Sequence, residues 1–188
     1  MIRLSHVCAK YPDKTVFDDL SLILPDTGAV ALMAPSGFGK TTLLRVLAGL
    51  KTMEAGEISG LENKKISFLF QEDRLLPWVS AQKNVELVSD ADTAKRWLSQ
   101  MEIPDGSQLP REMSGGMQRR VALARAMAFG GDMLLLDEPF KGLDEALRER
   151  IAGRIRGVFP LTILSVHDAL EAELMGAQVF RLDERRQD

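Results

Sequence analysis

Residues 34–42 read APSGFGKTT, and the segments on either side decide what that loop can be. Before it, GAVALMA (28–34) is a continuous run of small apolar residues, the pattern of a strand buried on both faces. After it, KTTLLRVLAGL (40–50) has helical apolar spacing and ends near Gly49. A buried strand, a glycine turn and a helix start aim successive backbone N–H groups at one point. The helix N-terminus adds partial positive charge there. Gly37 and Gly39 permit close backbone approach to an anion. In that role Lys40 neutralises β- and γ-phosphates, and the Thr41 hydroxyl holds Mg²⁺. The plainer reading is a strand–turn–helix connection with glycines in the turn. Two residues depart from the pattern G-x-x-x-x-G-K-[ST]. Ala34 replaces the first glycine, which costs about 1 kcal/mol if the position needs positive φ and little otherwise. Phe38, between two glycines, is expected to point outward.

Working outward, short apolar strands alternate with helical patterns, so the fold class is α/β with a largely parallel sheet. IRLSHVCAKY (2–11) and TVFDDLSLIL (15–24) alternate as a half-exposed antiparallel edge pair would. KISFLF (65–70), MLLLDEP (133–139), LTILSVH (161–167) and AQVFRL (177–182) read as further strands. The charged end DERRQD (183–188) is expected to fray. Between Gln71 and Gly131 the period changes. SAQKNVELV, ADTAKRWLSQM and GGMQRRVALARAMAF are all helical, which predicts a helical insertion in a sheet-based core. The expected division is a core of 1–72 and 131–188, with a helical subdomain at 73–130.

The 188 residues suffice for one domain that buries roughly two thirds of its unfolded surface. A formal net charge of −3 gives no general pull toward nucleic acid or anionic lipid. A polyanion must therefore be held by a local arrangement of donors. Cys8, the single cysteine, cannot form an internal disulfide and lies in an apolar-alternating run, as a small core residue would. No stretch approaches the ~18 apolar residues needed to span a bilayer.

MLLLDEP ends a buried strand in two carboxylates. Neighbouring side chains on a strand face opposite ways, so Asp137 and Glu138 are expected to have different tasks. Downstream of a phosphate loop these are a Mg²⁺ support at Asp137 and a water-activating base at Glu138. Alone, "DEP" would read as a solvated strand end stopped by Pro139. Ser114, Gly115 and Gly116 form a polar entry to the helix beginning near Met117, with Ser114 as cap or phosphate donor.

The order of these elements resembles the nucleotide-binding subunits of ABC transporters over nearly the whole chain. APSGFGKTT matches Walker A, MSGGMQRR the signature motif and MLLLDEP Walker B. Gln71 matches the Q-loop, Asp144 in KGLDE the D-loop, His167 in SVHD the switch histidine, and Tyr11 the aromatic that stacks on adenine. The resemblance implies a P-loop ATPase core in which ATP is bound by Tyr11, Ser36, Gly37, Phe38, Gly39, Lys40, Thr41 and Thr42. Ser114, Gly115, Gly116 and Asp144 would contribute from a second subunit in a head-to-tail dimer. It also implies that Glu138, His167, Gln71 and Lys40 carry hydrolysis, and that Thr41, Gln71 and Asp137 hold Mg²⁺. The expected further partner is an integral membrane permease, docking near RLLPWVS, where Leu75, Leu76, Pro77 and Trp78 are expected to be exposed. No nucleic-acid partner is expected, and the expected location is the cytoplasmic face of a membrane. The texture of QEDRLLPW and SGGMQ is similar to importers of small anions and related nutrients such as nitrate, sulfonates and taurine. Met117, Lys141 and Gly142 depart from the usual residues. The alternatives are an ABC-type ATPase without a transporter partner and an ATP-binding module with impaired hydrolysis.

Overall fold

The computed structural model describes residues 1–182; the expectation of a frayed end at 183–188 lies outside the described residues. Five strands form a parallel sheet: β3 (Gly28–Met33), β5 (Ile66–Leu69), β6 (Met133–Asp137), β7 (Leu161–Val166) and β8 (Gln178–Arg181), in the order β5-β6-β7-β3-β8. β1 (Ile2–Tyr11) and β2 (Lys14–Leu24) pair antiparallel, and β4 (Ala55–Ser59) joins the other edge of β1.

The period of two explains how the parallel sheet is covered. Met133 and Leu135 of β6 pack with Val30, Leu32, Leu161 and Ile163 against α1 (Lys40–Leu47) and the antiparallel sheet. Leu134 and Leu136 face the other way with Ala31, Leu164 and Val166, into the layer of remaining helices. These are α2 (Ala81–Glu86), α3 (Ala91–Gln100), α4 (Gly115–Phe129), α5 (Glu145–Ile155) and α6 (Ala169–Leu174). Each fully buried leucine contributes ~1.5–3 kcal/mol, and both faces of β6 are filled. Among the described residues, no helix is long and apolar enough to cross a membrane.

Strand β4 has no counterpart in the sequence reading. Its residues are mostly exposed, so the apolar alternation that marks a strand is missing. What holds it is backbone approach. Gly56 sits at φ 88, and a Cβ there would lie 2.4 Å from the carbonyl oxygen of His6. Two further expectations are corrected. Phe38 is half-buried against the α1 and β1–β2 cluster instead of pointing outward. Leu75 packs on the helical layer and Leu76 is half-buried, leaving Pro77 and Trp78 as the exposed part of that segment.

Asn84 fixes the segment 76–80. Its side chain is fully buried; it accepts from the Leu76 N–H at 2.7 Å and donates to the carbonyls of Leu76, Val79 and Ser80. Replacing it orphans buried backbone groups at about 1–3 kcal/mol each. Asn84→Leu is expected to lower unfolding free energy by roughly 2–4 kcal/mol in urea titration.

Candidate functional site

The carboxyl ends of β3, β6 and β7 converge on the phosphate-loop turn. Gly39 precedes α1 at φ 108, and a Cβ there would lie 2.5 Å from Val16 Cγ1, so only glycine fits on both counts. Gly37 has φ 78. Ala34 lies outside the positive-φ region, so it carries no backbone strain. Its carbonyl is an acceptor for Lys40 Nζ at 2.6 Å, with that of Pro35 at 3.4 Å. Burial pushes the Lys40 ammonium below its ordinary pKa, while the negative charges of Glu138 and Asp137 pull the other way. An anion in the turn would favour the charged form further.

Asp137 is buried at the end of β6. Its Oδ1 accepts from Thr41 Oγ1 at 3.1 Å and from Ser165 Oγ at 2.8 Å. Its Oδ2 is buried with no hydrogen-bond partner among the described residues. Glu138 follows at φ 52, and its N–H donates to Ser165 Oγ at 2.9 Å. The strand has ended, so a left-handed residue, not simple alternation, separates the two carboxylates. Glu138 Oε1 lies 3.0 Å from His167 Nε2 and accepts from Gln71 Nε2 at 3.3 Å. Lys141 Nζ stands 3.9 Å from the other oxygen.

A cleft of about 360 Å³ collects Tyr11, Lys14, Val16, Ser36, Gly37, Gly39, Lys40, Thr41, Thr42, Gln71, Glu138 and His167. Tyr11 is part of that lining. Hydrogen bonding with Thr42 holds its phenol below the usual pKa; Arg45 and Lys51 act in the same direction. The signature residues lie elsewhere. Ser114 caps α4, accepting from the Met117 N–H at 3.2 Å. Asp144 caps α5, accepting from the Leu147 N–H at 2.9 Å. Neither these caps nor Gly115, Gly116 and Phe38 line the cleft. Ser114, Gly115 and Asp144 are exposed.

Arg119 of α4 is a site residue that sequence reasoning missed. Only 3% exposed, it donates to the carbonyls of Phe70 (2.6 Å), Asp137 and Glu138 (2.9 Å), and to Asp73 Oδ1 (2.9 Å). It ties the helical layer to the backbone beside Gln71 and the acidic strand end. His167 is positioned from behind. Its backbone N–H donates to Glu171 Oε2 at 3.3 Å, and Arg148 of α5 lies near both Asp168 and Glu171. Burial raises the Glu171 pKa, opposed by that hydrogen bond and by Arg148.

A glycine turn at a helix N-terminus, a lysine inside it, and a strand-end Asp-Glu pair facing a histidine define a P-loop nucleoside triphosphatase. The ABC transporter family model matches residues 17–141. Related sequences agree. The aliphatic sulfonates import ATP-binding protein SsuB 1 of Pseudomonas savastanoi pv. phaseolicola is 35% identical, covering 93% of this chain and 77% of that protein. SsuB 3 of Paraburkholderia xenovorans is 40% identical over 91% of this chain and 72% of its own length. Among solved structures, the ATP-binding cassette MJ0796 in a dimeric post-hydrolysis state bound to ADP and Pi superposes with a TM-score of 0.86. That match is 25% identical and covers 97% of this chain and 94% of that one. The chain belongs to the ABC transporter family and is one of its ATPases.

Because Ala34 is unstrained, Ala34→Gly is expected to leave ATP affinity within about threefold. It should lower stability by roughly 0.5–1 kcal/mol through unfolded-chain entropy. Isothermal titration and thermal melts measure the two effects.

Proposed function

We propose that this chain is the ATP-hydrolysing subunit of an importer for aliphatic sulfonates or chemically similar small anions. In this reading it works as a head-to-tail pair beneath a separate membrane permease, at the cytoplasmic face. The observation that carries the hydrolytic role is the pairing of Glu138 with His167 and Gln71 at the mouth of the phosphate-loop cleft. Glu138 accepts a proton from the attacking water. Lys40 leaves its carbonyl acceptors for the β- and γ-phosphates. Gln71 and His167 exchange their contacts with Glu138 for contacts with water and the γ-phosphate.

Ser114, Gly115, Gly116 and Asp144 lie away from the cleft in one copy and are free to complete the cleft of a second copy. The helix start at Ser114 then faces the γ-phosphate from the side opposite Lys40. The cation chemistry fits Mg²⁺. Among the described residues no cluster of three or more His, Cys, Asp or Glu could cage a metal. Asp137 Oδ2 is an orphaned buried acceptor beside Thr41. Mg²⁺ takes one or two carboxylates and completes its shell with water and phosphate. Thr41, Asp137 and Gln71 would hold it, and it would supply charge neutralisation of the phosphates.

The division into a nucleotide core (1–72, 131–188) and a helical subdomain (73–130) is part of this proposal. At their junction a groove of about 430 Å³ is lined by Leu50, Phe68, Phe70, Arg74, Val88 and Phe129, among others. Leu50 is 57% exposed, and the Arg74 guanidinium lies over the Phe70 ring at 3.9 Å. An apolar floor with a basic rim, on the chain segment that carries Gln71, suits a short cytoplasmic helix of the permease.

Two measurements test this reading. Glu138→Gln is expected to cut ATPase turnover by roughly 10²–10⁴-fold while keeping ATP-dependent dimerisation in light scattering. Turnover unchanged by the substitution would remove Glu138 from the role of base. Leu50→Glu is expected to abolish co-purification with the permease and coupled transport. ATPase activity of the isolated subunit should stay within about twofold.

A further inference from the structure

The hairpin that presents Tyr11 to the cleft also presents a cation that the hydrolytic machinery described above does not use. Tyr11 and Lys14 are direct cross-strand partners on the last rung of the β1–β2 ladder, and both line the cleft. Lys14 Nζ donates to the carbonyl of Gly37 at 3.0 Å. An ammonium has three donors. One is occupied at Gly37, and no carboxylate pairs with Lys14 among the described residues. The hairpin is also seated directly on the turn: a Cβ on Gly39 would meet Val16 Cγ1 at 2.5 Å and Phe17 Cζ at 2.7 Å. The position of Lys14 is therefore tied to that of the phosphate loop.

We infer that Lys14 is a second phosphate-binding cation of this site. It contacts the phosphates nearest the ribose, while Lys40 serves the terminal ones. The shared rung supplies the order: an aromatic ring for the base and, beside it, an ammonium for the first charges along the chain. Lys14 and Lys40 are held alike, each with its ammonium on a carbonyl of residues 34–37. Each can pass to a phosphate oxygen without crossing the cleft.

The inference rests on reading the cleft as an adenine-nucleotide site, and the test separates the two. Titration of the intact chain with ADP is carried out at roughly 0.05 M and roughly 0.5 M salt, for wild type, Lys14→Met and Lys14→Arg. Lys14→Met is expected to weaken ADP about tenfold at low salt, with the gap narrowing at high salt. Lys14→Arg should bind within about threefold of wild type. The melting temperature of the nucleotide-free protein should be the same for all three chains, which separates a lost phosphate contact from a loosened fold. Lys14→Met binding ADP like wild type overturns the proposal. So does a loss of equal size at both salt levels, which would mark Lys14 as a structural brace of the loop. Wild type that fails to bind ADP overturns the nucleotide reading itself.

Discussion

The Asp137 carboxylate is the point on which the rest of the arrangement turns. It is buried where β6 ends, and one of its oxygens is shared by a hydroxyl from the helix after the phosphate loop and one from β7. That single atom registers three elements: the nucleotide helix, the strand carrying the acidic pair, and the strand that runs into His167. Ser165 passes the constraint on by accepting the Glu138 N–H, which fixes the left-handed residue that aims the second carboxylate. A buried carboxylate with one unpartnered oxygen is costly unless something completes it. A cation at the phosphates is the completion that suits this chemistry.

Around this node the second layer is organised by guanidinium groups. Arg119 reaches the backbone on both sides of the cleft's acidic edge, and Arg125 donates to the carbonyls of Asp73 and Arg74 at 2.8 Å. Both lie on α4, which begins at Gly115 behind its Ser114 cap. The helix start at Ser114 is thus joined, through Arg119 on the same helix, to the backbone beside Gln71 and to that of Glu138.

The parts that are legible in the sequence are those with strong local signals. GAVALMA, MLLLDEP and LTILSVH are apolar runs long enough to be buried strands, and they form adjacent strands of the parallel sheet. The residues gathered by the cleft include Lys40, Gln71, Glu138 and His167, singled out from motif order, and Tyr11, singled out from the family resemblance. What stays hidden lacks such a signal. β4 has almost no apolar alternation, because it is an exposed edge held by backbone contacts. Arg119 sits in a basic run that reads as a solvated helix face, and only the fold reveals that its guanidinium is buried. Ser165 is a small polar residue inside a strand. Phe38 and Leu75 read as exposed because an apolar residue in a loop looks so until the loop folds back on the core.

The acceptors of Arg119 have a consequence for how this chain can drift. Three of the four are main-chain carbonyls, at Phe70, Asp137 and Glu138. Every amino acid carries a carbonyl, so exchange of those side chains removes no acceptor. For that main-chain part of the linkage the burden of heredity falls on one codon, that of the arginine; only the contact with Asp73 asks for a particular side chain opposite it.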